Sequence, residues 1–213
     1  MRIPPSALAA RLESQLDQRY LFFGSEFLLV CEASDQLRQS VRKSGVDDII
    51  RLTAGIDLDW QQFLETSRSL GIFSTRRMIE IRLPTGKPGP EGAKALLTFL
   101  KEDHDDIIFV LLLGQIDKRT QTTMWFKEME QKSTVVEAPT VPQRKLRGWI
   151  QERLLAKGLR ADAIVAEKLA FYVEGNLSAA AQEIEKLCLL LPNKEILTDE
   201  LLEQCILEQA TFS

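Results

Sequence analysis

The stretch Tyr20-Leu21-Phe22-Phe23-Gly24-Ser25-Glu26-Phe27 predicts a strand that turns at a glycine directly into a helix. In nucleoside triphosphatases this position carries a glycine-rich loop and then Gly-Lys-Ser/Thr, whose amides and lysine hold phosphates and whose hydroxyl holds magnesium. Here the turn continues as Gly24-Ser25-Glu26, and the next lysine is Lys43. A carboxylate therefore stands where a phosphate would approach. The sequence predicts a nucleotide-binding architecture with a degenerate phosphate loop at Gly24, Ser25 and Glu26.

Short apolar runs separated by helical patterns continue over the first two thirds of the chain. Strands are predicted at residues 20–23, 49–52, 78–83, 107–113 and 134–137, and the run at 107–113 is typical of a strand buried on both faces. Strands that alternate with helices form a parallel sheet, because the helices make the crossover connections. We therefore predict an α/β fold with a five-stranded parallel sheet and helices on both faces.

The pattern changes after Pro139 and Pro142, where strand signals stop. Residues 146–157, 163–174 and 177–191 are three amphipathic helical patterns, and a further helix is predicted to begin at Thr198. Helix-ending glycines and helix-starting Asp or Asn residues separate them, namely Gly158, Gly175, Asp162 and Asn176. We predict an α/β domain over residues 1–140 and a small all-helical lid domain over residues 141–213.

Composition sets broad limits on function. The 213 residues carry a net charge of −4 with a pI of about 5.3, which does not indicate a broad nucleic-acid-binding face. The basic clusters Arg76-Arg77 and Arg144-Lys145 with Arg147 are interpreted as solvated faces. No apolar run approaches the ~18 residues of a membrane span, and three distant cysteines indicate reduced thiols, so we expect a cytoplasmic protein without membrane contact.

Three segments in the expected order resemble the delta-subunit family of the bacterial DNA polymerase III clamp loader, an AAA+-like family. They are 20–29 with Glu32-Ala33, Ser69-Leu70-Gly71-Ile72-Phe73-Ser74-Thr75-Arg76-Arg77, and Tyr172-Val173-Glu174-Gly175-Asn176-Leu177 with the helix that follows. The family continues into a third, all-helical collar domain that assembles the pentameric loader. This chain stops at Ser213, so we expect a polypeptide in which the C-terminal collar domain is absent.

The resemblance implies a role in DNA replication. The family's delta subunit binds the ring-shaped sliding clamp (beta) and opens it for loading onto primed DNA through the assembled complex. Its partners there are the other loader subunits, delta prime and gamma/tau. The resemblance implies no cofactor and no intrinsic catalysis, because ATP acts on other subunits. The holoenzyme as a whole is classed as a DNA-directed DNA polymerase, a nucleotidyltransferase.

The resemblance also implies which residues contact the clamp. The family's exposed apolar pair corresponds to Ile72 and Phe73, with Leu70 and Arg76 as supporting contacts. From the residues alone, Ile72 and Phe73 lie at a corner between Gly71 and a polar run, and either anchor a partner or fold back onto the core.

Two other classes of function stay open at this stage. One is a nucleotidase with a degenerate AAA+ phosphate loop, which nucleotide binding would reveal. The other is a different replication scaffold that uses its helical domain on DNA, which predicts duplex binding with a steep salt dependence. His104, the single histidine, lies among acidic residues and is predicted to occupy a solvated turn and not to act as a catalytic base.

Overall fold

The computed structural model describes residues 1–69, 76–173, 175–191 and 196–204. The chain divides into two compact units, Met1–Thr140 and Val141–Ser213.

The first unit is built on a parallel sheet of six strands. They are β1 (Arg2–Ile3), β2 (Arg19–Gly24), β3 (Ile49–Thr53), β4 (Arg77–Leu83), β5 (Ile107–Leu113) and β6 (Thr134–Ala138), in the order β1-β6-β2-β5-β4-β3. The predicted α/β class with a parallel sheet is confirmed, but the count of five strands was one too low. The added strand, β1, pairs with Val135 and Val136 and is only two residues long, too short to show a strand periodicity.

Helices cover both faces of this sheet. A 3-10 turn (Pro5–Ala7) precedes α1 (Leu8–Ser14), and α2 (Phe27–Lys43), α3 (Trp60–Arg68), α4 (Gly89–Lys101), α5 (Lys118–Gln121) and α6 (Met124–Lys132) follow. Successive side chains of a strand point to opposite faces. Phe22 of β2 therefore packs in the cluster that holds residues of α1 and α2, whereas Phe23 packs in the cluster that holds residues of α3, α4 and α6.

One carboxylate is enclosed within the sheet, which the alternating pattern of β4 did not predict. Glu80 has no exposed surface and accepts hydrogen bonds from Ser34, Arg38 and Arg82, the last at 2.7 Å. Burial opposes its charge, but the two guanidinium groups outweigh burial and hold the pKa of Glu80 below its ordinary value. Glu80 therefore ties α2 to β4.

The second unit is mostly helical. It contains α7 (Gln143–Ala156), α8 (Ala163–Tyr172) and α9 (Leu177–Leu190), and residues 199–204 are also helical. The prediction of an all-helical unit needs one correction: β7 (Arg160–Ala161) and β8 (Ile196–Leu197) form a short parallel pair. The predicted caps are confirmed, since Asp162 accepts from the Val165 amide and Asn176 from the Ala179 amide. Within the ranges that the structure describes, no helix has the length and apolarity to cross a bilayer.

Candidate functional site

The turn between β2 and α2 is too tight to enclose a phosphate. Only Ser25 and Glu26 separate the end of the strand at Gly24 from the start of the helix. Gly24 has a φ of +152°, and a Cβ on it would lie 2.0 Å from the carbonyl oxygen of Ala138 on the neighbouring strand. The Glu26 amide donates to that same carbonyl at 3.2 Å. This amide therefore binds the sheet, in the place where a phosphate loop would offer its amides to a ligand.

The start of α2 also has the wrong side chains for a phosphate. Phe27 occupies its first position with 57% of its surface exposed, next to the Glu26 carboxylate. Lys43 is the last residue of the same helix, about 24 Å away at 1.5 Å per residue. Among the residues that the structure describes, no group of three or more His, Cys, Asp or Glu is placed to hold a metal ion.

The second candidate region is the connection between α3 and β4. Leu70, Ile72 and Phe73 lie outside the described residues, whereas Arg76 is described and exposed directly before β4. The structure describes the two residues that flank this connection, Ser69 at its start and Arg76 at its end. We call these two flanking positions the base of the connection.

Helix α3 is held firmly at its start and along its buried face. The Asp59 carboxylate caps the helix by accepting from the amides of Gln61 and Gln62 at 2.8 and 3.0 Å. Its Phe63 ring packs at 5.2 Å from Phe99 and 5.7 Å from Phe109, measured between ring centroids. The helix is thus fixed to α4 and to the central strand.

Arg77 fixes the end of α3, which the sequence did not predict. It was interpreted as part of a solvated cluster, but it is only 4% exposed. Its guanidinium donates to the carbonyls of Ser67 and Ser69 and lies 3.6 Å from the Asp106 carboxylate. Because Arg77 is the first residue of β4, one side chain joins the two ends of the connection.

A second contact fixes the same end of α3 from the turn between α4 and β5. Arg68 donates to both carboxylate oxygens of Glu102, at 3.1 and 2.5 Å. This fork-to-fork geometry defines direction as well as distance. The turn that carries Glu102 therefore supports the base formed by Ser69 and Arg76.

His104 helps to hold that turn, so the prediction of a solvated histidine was wrong. The imidazole is 7% exposed and stacks on Phe99 at 4.2 Å with an interplanar angle of 9°. Its Nε2 lies 3.7 Å from the Glu102 carboxylate. Burial lowers the pKa of His104 below its ordinary value, although Glu102 acts in the opposite direction. The stacking partner, Phe99, lies on α4, and the local sequence pattern does not predict this contact.

The two candidate regions occupy opposite edges of the sheet. Arg77 and Ile107 are paired at the starts of β4 and β5, whereas Gly24 and Ala138 are paired at the ends of β2 and β6. A strand of six or seven residues at about 3.3 Å per residue separates these edges by roughly 20 Å. The base next to Arg76 is thus independent of the edge where α/β proteins place nucleotides.

A parallel sheet in this order, covered on both faces and followed by a small helical unit, defines an AAA+-like protein. A RuvB mutant of Thermotoga maritima shares this fold with a TM-score of 0.53 and 11% identity, over 94% of this chain and 66% of that one. The Bacillus subtilis DNA clamp loader delta protein matches with a TM-score of 0.64 and 20% identity, over 90% of this chain and 59% of that one.

The family model described as DNA polymerase III, delta subunit, matches residues 20–139. The chain therefore belongs to the DNA polymerase III delta subunit family, and the resemblance inferred from the sequence is confirmed. The DNA polymerase III subunit delta of Escherichia coli (strain K12) is 28% identical over 213 residues, which are 100% of this chain and 62% of that protein. This chain thus spans about three fifths of the length of the relatives that it matches.

Proposed function

We propose that this chain is the clamp-binding part of a clamp-loader delta subunit, and that its binding favours the open form of the sliding clamp. The observation that carries the proposal is membership of the delta-subunit family, whose matched region contains the connection between α3 and β4. In this proposal Ile72 and Phe73 are the anchors, and Leu70 and Arg76 are supporting contacts. Delta prime and gamma/tau are the partners in the assembled loader, which places the ring on primed DNA.

The geometry of the base supports this assignment. A contact element can favour the open ring only if it is held rigidly, because a flexible segment loses conformational entropy when it becomes ordered on binding. The guanidinium of Arg77 and the Arg68–Glu102 pair fix the flanks of the connection. The exposed side chain of Arg76 is available beside them to a partner's carboxylate.

The same proposal assigns no catalysis to this chain. Opening a ring requires only that the surface binds the open form more tightly than the closed form. The Glu26 amide is bonded to Ala138, and Gly24 packs against the same carbonyl, which supports a β2–α2 turn without nucleotide chemistry. Calorimetric titration with magnesium-ATP tests this part, and stoichiometric binding would revive the nucleotidase alternative.

The decisive experiment is calorimetric titration of the chain with the sliding clamp of the same bacterium. The test variant is the double substitution Ile72→Ala, Phe73→Ala. Burying each side chain contributes roughly 1.5–3 kcal/mol. Both together therefore account for a loss of roughly 10²- to 10⁴-fold, out of the ~8 kcal/mol of a micromolar complex.

A matched control removes the same kind of apolar surface elsewhere. Leu189 and Leu190 are exposed on α9, so Leu189→Ala, Leu190→Ala is expected to bind the clamp like the parent. Equal loss in both double variants, or no loss in either, contradicts Ile72 and Phe73 as anchors. A parent chain that does not bind the clamp contradicts the proposed function itself.

A further inference from the structure

We propose that the second unit carries a binding surface for single-stranded nucleic acid, formed by the start of α7 and the end of α8. This surface, called the α7–α8 groove, has a volume of about 380 Å³ and is lined by Gln143, Arg144, Arg147, Glu167, Ala170 and Phe171. Pockets for small ligands span about 300–1,000 Å³, so the groove can take a group the size of a nucleotide. This activity goes beyond clamp binding and uses a different unit of the chain.

The first wall of the groove is positively charged. Arg144 and Arg147 of α7 line the groove, Lys145 lies next to them outside the lining, and residues 141–151 contain no acidic residue although the chain as a whole is acidic. Arg147 lies 3.8 Å from Glu167. In the part of the chain that the structure describes, Arg144 and Lys145 have no carboxylate within ion-pair distance. The wall therefore offers more positive than negative charge to an anionic partner such as a phosphodiester backbone.

The opposite wall presents the Phe171 ring to water, and the Tyr172 ring lies next to it outside the lining. Phe171 is 78% exposed and Tyr172 is half exposed, and their ring centroids lie 6.4 Å apart at the end of α8. An adjacent pair of exposed aromatic residues marks a surface that a partner covers. Proteins that bind single strands combine a cationic groove with aromatic rings on which bases stack. The two walls of the groove supply these two elements together.

The first turns of helix α7 lack the residues that usually stabilise the start of a helix. Its first turn has no side-chain cap and no acidic residue, and its cations stand at the positive end of the helix dipole. One turn beyond Arg144, Gly148 is exposed and a Cβ on it would meet no atom within 4 Å. Both features destabilise an isolated helix, and both favour close approach of an anionic backbone. Local departures of this kind concentrate at functional sites.

Unpaired bases distinguish a single strand from the other anionic partners of the groove. Stacking on Phe171 or Tyr172 requires a free base face, which a duplex hides within its own stack. An acidic protein segment would use the cations but would have no planar groups for the rings. The chemistry of the two walls therefore selects a single-stranded nucleic acid.

Fluorescence anisotropy of a labelled oligo(dT) of 20 nucleotides tests the proposal, with the intact chain and without any clamp. The absence of clamp keeps this result separate from the test of the proposed function. At about 50 mM salt the expected dissociation constant is roughly 1–100 μM, as for other non-specific contacts. Two phosphate contacts, one for each arginine of the groove, give a slope of log affinity against log salt of about −1.4, at about −0.7 for each contact.

Two variants with matched controls assign the binding to the groove. The substitutions Arg144→Gln, Arg147→Gln should reduce the slope to about zero, since no cation that lines the groove is left. Phe171→Ala should weaken binding roughly 5- to 150-fold, corresponding to about 1–3 kcal/mol for one stacked base. Arg160→Gln removes an exposed cation beyond the other end of α7, and Leu189→Ala removes an exposed apolar side chain on α9. Both controls should bind like the parent.

Three results would overturn the proposal. The first is a parent chain that shows no salt-dependent binding of the oligonucleotide at 200 μM protein. The second is an Arg160→Gln control that loses as much affinity as the double arginine variant. The third is a Phe171→Ala variant that keeps the parent affinity. Thermal unfolding of every variant accompanies the titrations, and all the substituted side chains are on the surface, so the fold is expected to persist.

Discussion

Replacing Arg77 by methionine tests whether this side chain fixes the base of the connection between α3 and β4. Methionine keeps an unbranched apolar stem within the buried site but cannot donate to the carbonyls of Ser67 and Ser69 or pair with Asp106. The neighbouring substitution Arg76→Met changes the same charge at an exposed position. The two variants therefore differ only in which arginine is lost.

The expected loss of stability follows from the contacts of Arg77. A hydrogen bond from a charged group to a carbonyl such as that of Ser69 contributes about 1.5–3 kcal/mol. The 3.5 Å contact to Ser67 and the partly exposed pair with Asp106 add about 1 kcal/mol together. The Arg77 Nε is buried with no hydrogen-bond partner in the described part of the chain, and removing it recovers about 1 kcal/mol. The net free energy of unfolding should fall by about 1.5–3 kcal/mol.

Urea unfolding measures that loss, and calorimetry with the clamp measures its consequence. Arg77→Met should weaken clamp binding roughly 5- to 30-fold without a direct contact, because ordering even one further residue on binding costs about 1–2 kcal/mol. Arg76→Met should leave stability within about 0.5 kcal/mol and weaken the clamp complex by up to about fivefold, as for an exposed charge at an interface rim.

Two outcomes would contradict this prediction: Arg77→Met unfolds at the same urea concentration as the parent, or it is destabilised as expected but binds the clamp with unchanged affinity. The first outcome would show that the buried guanidinium does not hold the end of α3. The second would show that the base has no part in presenting the connection.

Four further substitutions have defined outcomes. Gly24→Ala should lower the free energy of unfolding by roughly 2–5 kcal/mol in urea unfolding, because the new Cβ would clash with the Ala138 carbonyl. Gly45→Ala is the control: Gly45 has a φ of +87° but open space around it, so this substitution should cost only about 1–2 kcal/mol. Parent stability should fall as pH drops from about 7 to 5.5, since unfolded His104 binds a proton that the folded, lowered-pKa imidazole resists. In His104→Phe this part of the pH dependence of the unfolding free energy, at most about 1.4 kcal/mol per pH unit, should disappear. A pH dependence equal to that of the parent would show that other groups cause it. Gly148→Ala should stabilise the chain by about 0.5–1 kcal/mol in thermal unfolding, and a destabilised variant would contradict the open space beside α7.

Local patterns in the sequence predicted the local elements well. The strand at Ile107–Leu113 has the predicted bounds, because a continuous β-rich run between polar residues fixes both ends. Asp162 and Asn176 cap helices as predicted, since a cap depends only on residues two or three positions away. The short helix α5 before α6 was not predicted, although Asp117 caps it through the Thr120 amide.

The burial of charged residues was not predictable in the same way. Arg77, Glu80 and His104 occupy positions that periodicity or polar surroundings assigned to solvent, and all three are buried. Arg77 and Glu80 are compensated by groups far away in sequence, such as Arg38 for Glu80, 42 positions apart, whereas His104 contacts Phe99 and Glu102, which are close in sequence. A one-dimensional pattern contains no signal for such a partner, because the pairing exists only after the strands and helices have packed.

The sequence by itself determined the α/β class, the succession of strands and helices, the family, and the replacement of a phosphate loop by Gly24, Ser25 and Glu26. These depend on local periodicity and residue type. Tertiary structure alone decided that Arg77 joins both ends of the α3–β4 connection. It also decided that two arginines from α7 and the Phe171 ring from α8 face one groove. The physical reason is that such sites are made of side chains brought together by packing, and packing geometry is a property of the whole folded unit.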